Sequence, residues 1–362
     1  MHDLRRGTSF TEVGRTTNRR TFGVDHRPRV AFIAWTPNSG RALDIAGALR
    51  GEARTFFAFR IVNRHLVPLR YLVDSFRTAG YLALRRPRAL IVTNPPPFAA
   101  LVAYAYARLA GVPFILDSHP SSFALSGDGI WRLLLPLHAR LASRAAATLV
   151  TTDELAAVVR QWDGHAQVVH EPPTPWRVPP AGLSRNRPRV LFTGNYNRDE
   201  PVMNVLEAGR ALSGIDFHVT GDLRRCPSDL RKAASPNVRF VGYLARDQYR
   251  RALEEADVIL TLTTQRNDVP RTAYEAVYAN RPLVVPDRPL LRSLFPYAVH
   301  VPLTSDGIVA GLHEAIERHA ELVAVAPKAR VLQEERWRRQ QASLEAIIAA
   351  RPLPARDAPP TG

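Results

Sequence analysis

Short apolar runs alternate along this sequence with longer segments that have helical spacing. Runs of this length, rich in β-branched residues, predict buried strands. Six runs precede a proline-rich interruption and six follow it: VAFIAW (30–35), TFFAF (55–59), ALIVT (89–93), PFILD (113–117), ATLVTT (147–152), AQVVH (166–170), RVLFTG (189–194), DFHVTG (216–221), VRFVGY (238–243), DVILTL (257–262), PLVVP (282–286) and AVHV (298–301).

Continuous apolar strands separated by helices predict parallel sheets that are covered on both faces. We therefore expect an α/β protein with two Rossmann-like parallel-sheet domains facing across a cleft, and ligands at the carboxyl ends of the strands. The expected divisions are a disordered arm over 1–28, a first domain over 29–175, a linker over 176–188, a second domain over 189–327, a helix over 328–350 that packs back on the first domain, and a disordered tail over 351–362.

The chain is strongly basic, with a net charge of +16 and a pI near 10.9. Such a balance favours nucleic acid, an anionic lipid surface or a phosphorylated substrate as the partner. Of these, we expect no nucleic-acid partner. Only Lys232 and Lys328 are lysines, so a genome-wide preference for arginine codons would explain the charge equally well.

Two predicted helices are basic and amphipathic. WRLLLPLHARLASR carries Arg132, Arg140 and Arg144 at multiples of four, and HLVPLRYLVDSFRTAGYLALRR is similar. Such helices lie on anionic membranes or simply face a protein core.

The sequence predicts a cytoplasmic protein, either free or peripheral on the inner face of the plasma membrane. The most apolar stretch, from Phe98, is interrupted by Arg108 and by Gly111-Val-Pro113, which argues against a membrane span. The first residues lack the apolar core of a secretion signal. Cys226 has no second cysteine with which to form a disulfide.

Both halves open with a strand that runs into a loop of small and polar residues, and neither loop is a GxGxxG or Walker motif. In the second loop we expect Gly194 to make a tight turn, Asp199 to cap a helix and Pro201 to lie in its first turn. Free amides there would suit a phosphate. The alternative is an ordinary capped turn.

A more specific pattern is RNDVPRTAYEAVYANRPLVVPD, from Arg266 to Asp287. Asp268 and Pro270 predict a helix start that places Arg271 in the first turn and Glu275 one turn later on the same face. A cation at a helix N-terminus opposes the helix dipole, so this position favours a bound anion. The alternative is a surface ion pair between the two side chains.

In ILDSHPSSF, a predicted strand ends at Asp117 and is followed by His119. The histidine would contact a substrate at the cleft edge or hydrogen-bond to a loop. The sequence shows no HExxH or CxxC motif, and we expect neither a metal site nor a cofactor.

With these features the chain resembles retaining glycosyltransferases of the GT-B fold, specifically the family-4 type also called glycosyl transferases group 1. The resemblance runs from Val30 to about Ala350 and is most specific in Glu275-Ala276, in Ala279 to Val285, and in HVTGD from His218 to Asp222. It implies an enzyme that moves a hexosyl or related group from a nucleotide-diphosphate sugar to a saccharide or lipid-linked acceptor, in cell-envelope or exopolysaccharide synthesis.

Residue by residue, the resemblance implies that Glu275 binds ribose hydroxyls, that Arg271 faces the diphosphate and that His119 lies near the donor sugar. The first domain would take the acceptor, and the second the donor. The expected catalytic residues are His119, Arg271 and Arg198; the donor residues are Gly194, Asn195, Asn197, Thr220, Gly221, Arg266, Arg271, Tyr274 and Glu275; the acceptor-side residues are Asn38, Ser39, Gly40 and Asp117.

The sequence departs from the family pattern at three positions. Asn267 stands where the family has an acidic residue eight positions before the glutamate, and Asn195 and Glu200 stand where it has a phosphate-binding arginine and lysine. Arg198, Arg266 and Arg271 would supply the missing charge. The alternatives are a sugar-nucleotide epimerase and a non-catalytic protein that binds nucleotide sugars.

Overall fold

The computed structural model describes residues 28–60, 64–123, 132–174, 176, 178–183 and 187–350. Two six-stranded parallel sheets form its two halves, which confirms the predicted α/β class. The strands are β1 Ala31–Ala34, β2 Glu52–Thr55, β3 Leu90–Asn94, β4 Phe114–Ser118, β5 Ala147–Val150, β6 Ala166–Val168, β7 Arg189–Phe192, β8 Asp216–Thr220, β9 Val238–Gly242, β10 Val258–Leu260, β11 Leu283–Pro286 and β12 Val299–Val301.

Helices connect the strands and cover both faces of each sheet. They are α1 Gly40–Ala48, α2 Val67–Arg85, α3 Pro97–Ala110, α4 Leu135–Ala142, α5 Asp153–Gln161, α6 Val202–Ala211, α7 Ser228–Ala233, α8 Arg246–Glu255, α9 Arg271–Tyr278, α10 Pro289–Leu294, α11 Ser305–Glu317 and α12 His319–Ala349. The arm and the tail expected at the termini lie outside the described residues, apart from Pro28.

The strand order identifies where each sheet offers a ligand crevice. The first sheet runs β2-β1-β3-β4-β5-β6 and the second β12-β11-β10-β7-β8-β9. The direction of winding reverses between β1 and β3 in the first sheet and between β7 and β10 in the second. Loops diverge at such switch points and leave a crevice beyond the carboxyl ends of the strands.

The second predicted strand is wrong in position. The strand is Glu52–Thr55, and the aromatic run TFFAF lies mostly after it. β2 is an edge strand of the first sheet and pairs with β1 alone, so none of its residues is buried and three of the four are polar. Phe56 is instead buried beyond the strand end, where it packs against Tyr81 of α2.

The last helix spans both halves of the molecule. It begins at His319, earlier than the expected start at 328, and passes through Pro327. Its first part is buried against the second half, with Leu322 in the core of that sheet. Its later residues Trp337, Leu344 and Ile348 share a core cluster with β1 and α1. Burial on both sheets fixes the helix across the junction.

The described part of the proline-rich segment packs against the second half. Trp176 and Val178 are buried in a core cluster with Leu191 and Val285. The Asn280 side-chain amide also donates to the carbonyl of Val178. Movement between the halves would therefore require a hinge that lies before Trp176 or that breaks these contacts.

Candidate functional site

Arg271 lies at the junction of the two halves and contacts both. The helix α9 begins at this residue, and its Nε donates to Glu275 one turn later at 2.9 Å. From the first half, Glu171 accepts from Nη1 at 3.0 Å and Asp44 accepts from Nη2. The expected helix start is confirmed, and the guanidinium is bound to three carboxylates in this state.

Glu275 is buried and has a second donor besides Arg271. Its Oε2 accepts from the Tyr249 hydroxyl of α8 at 2.9 Å, and that hydroxyl also lies 2.9 Å from Oγ1 of Thr272. Burial and the nearby carboxylate raise the pKa of Tyr249, so the phenol stays protonated and can donate. Tyr249 therefore orients Glu275, a role that the sequence analysis did not assign.

Arg41 is the second arginine of this junction and was also missed. Its Nε and Nη2 donate to Asp117 at 3.0–3.2 Å, its Nη1 donates to Glu171 at 3.0 Å, and its Nη2 also reaches the carbonyl of Val169. Burial opposes the charged form, but Asp117 and Glu171 outweigh it and raise the pKa of Arg41. The guanidinium is thus a fixed cation inside the first half.

Asp117 was expected to contact an acceptor, and the structure places it differently. The carboxylate is buried at the end of β4 and is covered by Arg41. An acceptor at the cleft has no direct path to it. In this arrangement Asp117 anchors Arg41, and Arg41 in turn holds Glu171 where it meets Arg271.

The charges at the junction do not cancel. Two guanidinium groups, Arg41 and Arg271, meet four carboxylates, so two negative charges are in excess among these six residues; the carboxylates are Asp44, Asp117, Glu171 and Glu275. Arg246 lies 3.5 Å from Asp44 and offsets part of that excess. A diphosphate that reached Arg271 would compete with Asp44 and Glu171 for the guanidinium, or bind the two N–H groups that these bonds leave over.

The first-half loop predicted to face the acceptor or the diphosphate lies directly beside Arg271. Ser39 caps α1 by accepting from the amide of Ala42 at 3.2 Å. A Cβ at Gly40 would come within 2.8 Å of Nη1 of Arg271, so a larger residue there would push the guanidinium aside. Asn38 is exposed on the same loop. The structure thus places Gly40 of this loop against Arg271, with Ser39 and Asn38 directly before it in the chain.

The loop after β7 differs from the sequence expectation. The helix begins at Val202 with Pro201 as its N-cap residue, and Asp199 does not cap it. The amides of Asn195 and Asn197 are not free either, because both donate to Oε2 of Glu200, at 2.7 and 3.2 Å. An internal carboxylate therefore occupies the place where phosphate was expected.

Two half-buried acids of the second half, Asp199 and Asp268, lie on the side of the cleft that faces His119. The Asp199 carboxylate accepts from Thr263 Oγ1 at 3.0 Å. Burial and then the charge of Asp199 raise the pKa of Asp268, while His119 opposes that shift. The imidazole of His119 is itself partly exposed, with Nε2 at 3.7 Å from Asp117. His119 therefore stands at the cleft edge between acids of the two halves.

Of the other expected donor residues, Thr220 and Gly221 support the turn at Gly194, and Tyr274 lies in the core. Thr220 and Gly221 pack against Gly194, and the tight contact supports the turn: a Cβ at Gly221 would meet the Tyr196 ring at 2.6 Å and the Gly194 carbonyl at 2.8 Å. Tyr274 is buried against Phe295 and does not line the cleft.

Arg198 and Arg266 are exposed on loops that follow β7 and β10, at the crevice of the second sheet. They remain available as cations. Among the described residues, no group of three or more histidine, cysteine, aspartate or glutamate side chains is placed to hold a metal ion.

Comparison with known proteins supports the architecture. A family model described as "Glycosyl transferase-like" matches residues 200–346. No curated protein matches the chain significantly.

Solved structures match over nearly the whole chain at low sequence identity. Sucrose-phosphate synthase from Thermosynechococcus elongatus has 13% identity and a TM-score of 0.68, covering 89% of this chain and 98% of its own. Anabaena HepE in complex with UDP-glucose has 13% identity and a TM-score of 0.66, covering 88% and 100%. The lipopolysaccharide outer core galactosyltransferase WaaB has 15% identity and a TM-score of 0.56, covering 88% and 98%. The chain has the GT-B fold of these proteins.

Proposed function

We propose that this protein transfers a hexosyl or related group from a nucleoside diphosphate sugar to a saccharide or lipid-linked acceptor, with retention of anomeric configuration. The role would lie in cell-envelope or exopolysaccharide synthesis, at the inner face of the plasma membrane. No metal or cofactor is assigned. The fold, the matched family model and the nucleotide sugar in a structural neighbour support this proposal.

The observation that carries the proposal is the position of Arg271. Its guanidinium lies at the cleft between the halves, beside Gly40 at the start of α1 and Glu275 on its own helix. Helix N-termini and arginines both bind phosphate oxygens. Glu275 retains unused lone pairs on its oxygens that could accept from ribose hydroxyls. A nucleoside diphosphate would fit these groups in this order.

Cleavage of the sugar–diphosphate bond places negative charge on the leaving oxygen. Arg271, with Arg198 and Arg266 on neighbouring loops, would stabilise that charge without reorganising solvent. His119 would contact the donor sugar from the first half. Attack from the face that the diphosphate leaves needs no protein nucleophile, which suits a site in which Asp44, Glu171 and Glu275 are bound to Arg271.

The test has a binding step and a product step. Calorimetry and thermal shift against uridine, guanosine and adenosine diphosphates should show stabilisation by one of them, about 2.7 kcal/mol at a hundredfold excess over Kd. The matching nucleotide sugar with an acceptor should then release nucleoside diphosphate, and the coupling constant of the anomeric proton gives the stereochemistry. Stabilisation by none of them at millimolar concentration would contradict the proposal.

Glu200→Ala should tighten binding of the nucleoside diphosphate by about tenfold, because it frees the amides of Asn195 and Asn197 and removes a negative charge from the loop. Calorimetry measures the change in Kd. The matched control is Glu207→Ala, which removes the same charge from the exposed side of α6 and should leave Kd unchanged. Weaker binding by the Glu200 variant would mean that the carboxylate shapes the loop for the ligand.

A second candidate function is binding of a nucleotide sugar without transfer. Glu200 favours it, because its carboxylate holds the amides of Asn195 and Asn197 and leaves a negative charge in the loop where the family pattern has a phosphate-binding cation to stabilise the leaving group. The product step separates the two candidates: binding with no release of diphosphate in the presence of a broad set of acceptors supports the second.

A further inference from the structure

Four helices, α2 to α5, form one layer on one face of the first sheet and share one buried cluster. α5 carries the exposed acids Asp153 and Glu154, so the basic part of the layer is α2 to α4. Leu82 of α2, Ala103 of α3 and Leu141 of α4 share a single buried cluster under this layer. The opposite sides of the three helices therefore point away from the sheet in the same direction. We call the outward side of α2, α3 and α4, with Arg132, Leu133 and Leu134 directly before α4, the outer face.

The outer face carries an apolar stripe on α2. Leu69, Leu72 and Phe76 are 50%, 54% and 71% exposed and follow one another at intervals of three and four, so they lie on one side of the helix. Neighbouring elements add exposed leucines, among them Leu109 and Leu133. Single exposed apolar residues are ordinary, but a cluster of this kind marks an interaction surface.

The charge of the outer face has one sign. Between 56 and 144 the sequence has no glutamate and no lysine, and its aspartates are Asp74, Asp117 and Asp128. Asp74 and Asp117 are buried, and Asp128 lies outside the described residues. Exposed arginines recur along the three helices and the residues next to α4, and they are Arg77, Arg108, Arg132, Arg140 and Arg144. The described part of the outer face is thus basic without an exposed carboxylate.

We propose that the outer face docks on an anionic lipid bilayer, with Leu69, Leu72 and Phe76 entering the interface and the arginines binding lipid headgroups. A lipid surface presents negative charge over the whole area of such a layer, and amphipathic helices bind it through apolar area together with basic charge. None of the described helices is long and apolar enough to cross a membrane. The binding would therefore be reversible and sensitive to salt.

The docking surface adjoins the cleft. Helices of a parallel α/β layer run opposite to the strands, so the start of α2 and the residues before α4 lie at the carboxyl edge of the sheet, where Gly40 and His119 also lie. Leu66, 44% exposed, and Leu133, 80% exposed, mark this end of the outer face. Delivery of a lipid-linked acceptor to the cleft rests on the proposed function, whereas the docking itself does not.

The test is flotation with vesicles of equal parts phosphatidylglycerol and phosphatidylcholine, compared with phosphatidylcholine alone. The wild-type chain should float with the anionic vesicles at low salt, and salt at several tenths molar should release it, because the screening length falls below about 10 Å. Changing Arg132, Arg140 and Arg144 together to glutamate should lower the partition coefficient at least about 100-fold, at roughly fivefold for each arginine lost.

The matched control reverses three exposed arginines elsewhere, Arg251→Glu, Arg338→Glu and Arg339→Glu, which produce the same change in net charge. The control should float like the wild type. Equal loss of flotation in both variants would mean that total charge, and not the outer face, drives binding, and it would overturn the proposal. Absence of wild-type flotation with anionic vesicles at low salt would do the same.

A second variant tests the apolar stripe, with Leu69→Ser, Leu72→Ser and Phe76→Ser combined. Because these side chains are exposed, the variant should fold, which circular dichroism verifies, and its flotation should fall at all salt concentrations. Unchanged flotation would overturn the insertion of the stripe. If light scattering showed a wild-type dimer that this variant converts to a monomer, the outer face would be a contact between copies and the proposal would fail.

Nucleoside diphosphate binding, measured on the same variants, keeps the two proposals separate. The outer-face variants should bind the nucleotide like the wild type, since their residues lie outside the cleft. Flotation without nucleotide binding would leave the docking surface standing and remove the proposed transfer. Nucleotide binding without flotation would overturn the docking surface and leave the proposed transfer standing.

Discussion

Arg41→Met is expected to lower the free energy of unfolding by about 3–5 kcal/mol, because it leaves the buried Asp117 carboxylate without its guanidinium partner and removes one of the two arginines that pair with Glu171. Methionine fills a similar volume, so the loss reflects charge and hydrogen bonding more than a cavity. Denaturant unfolding followed by circular dichroism measures it, with the midpoint read at an unchanged slope.

Two further variants identify the cause. Arg41→Met combined with Asp117→Asn should recover part of the lost stability, because the double variant no longer buries the Asp117 charge. Arg85→Met breaks the exposed pair with Glu52 and should leave the midpoint almost unchanged. An Arg41 variant as stable as the wild type would show that the two carboxylates tolerate burial without it.

Arg271→Ala should lower kcat by roughly 100-fold, the scale of losing one preorganised group that stabilises developing charge. Glu275→Ala should chiefly raise the KM of the donor, by a few-fold to about 100-fold, because bonds to ribose hydroxyls are equally present in the ground and transition states. Steady-state kinetics on both variants, with folding verified, measures the difference. Two folded variants with wild-type kinetics would place the active site elsewhere.

Asp44→Asn tests whether Arg271 acts on the diphosphate or only joins the two halves. Asp44 pairs with Arg271 across the junction, so the substitution weakens that link while the guanidinium remains. If Arg271 acts on the donor, kcat should be maintained or rise in this variant. A fall as large as that of Arg271→Ala would mean that the cross-junction ion pair itself is what catalysis needs.

The strands could be predicted because a fully covered strand must be apolar along its whole length. In β1 and β11 every residue is buried, and the sequence marks both as uninterrupted apolar runs. This rule did not locate β2, because an edge strand has one neighbour and keeps exposed side chains. Its position depends on pairing with β1, which is not encoded in its own composition.

The helix that carries Arg271 and Glu275 could also be predicted from the sequence. Pro270 and the periodicity after it placed Arg271 and Glu275 one helical turn apart on a short helix, and the structure confirms that spacing. The hydrogen bonds of the loop after β7 could not be predicted. The sequence places Gly194 and Glu200 close together in the chain, but it does not show which donor each acceptor meets. Glu200 took both amides because a folded loop brought its carboxylate within reach.

By itself, the sequence determined what depends on neighbouring residues: two series of buried strands, the helix that carries Arg271 and Glu275, and the basic character of the chain. The tertiary structure decided what depends on distant residues. Asp44 and Glu171 reach Arg271 from positions 227 and 100 residues away, and Arg41 meets Asp117 over 76. Whether an arginine is free to bind an anion depends on which carboxylates the fold places beside it, and periodicity carries no information about that.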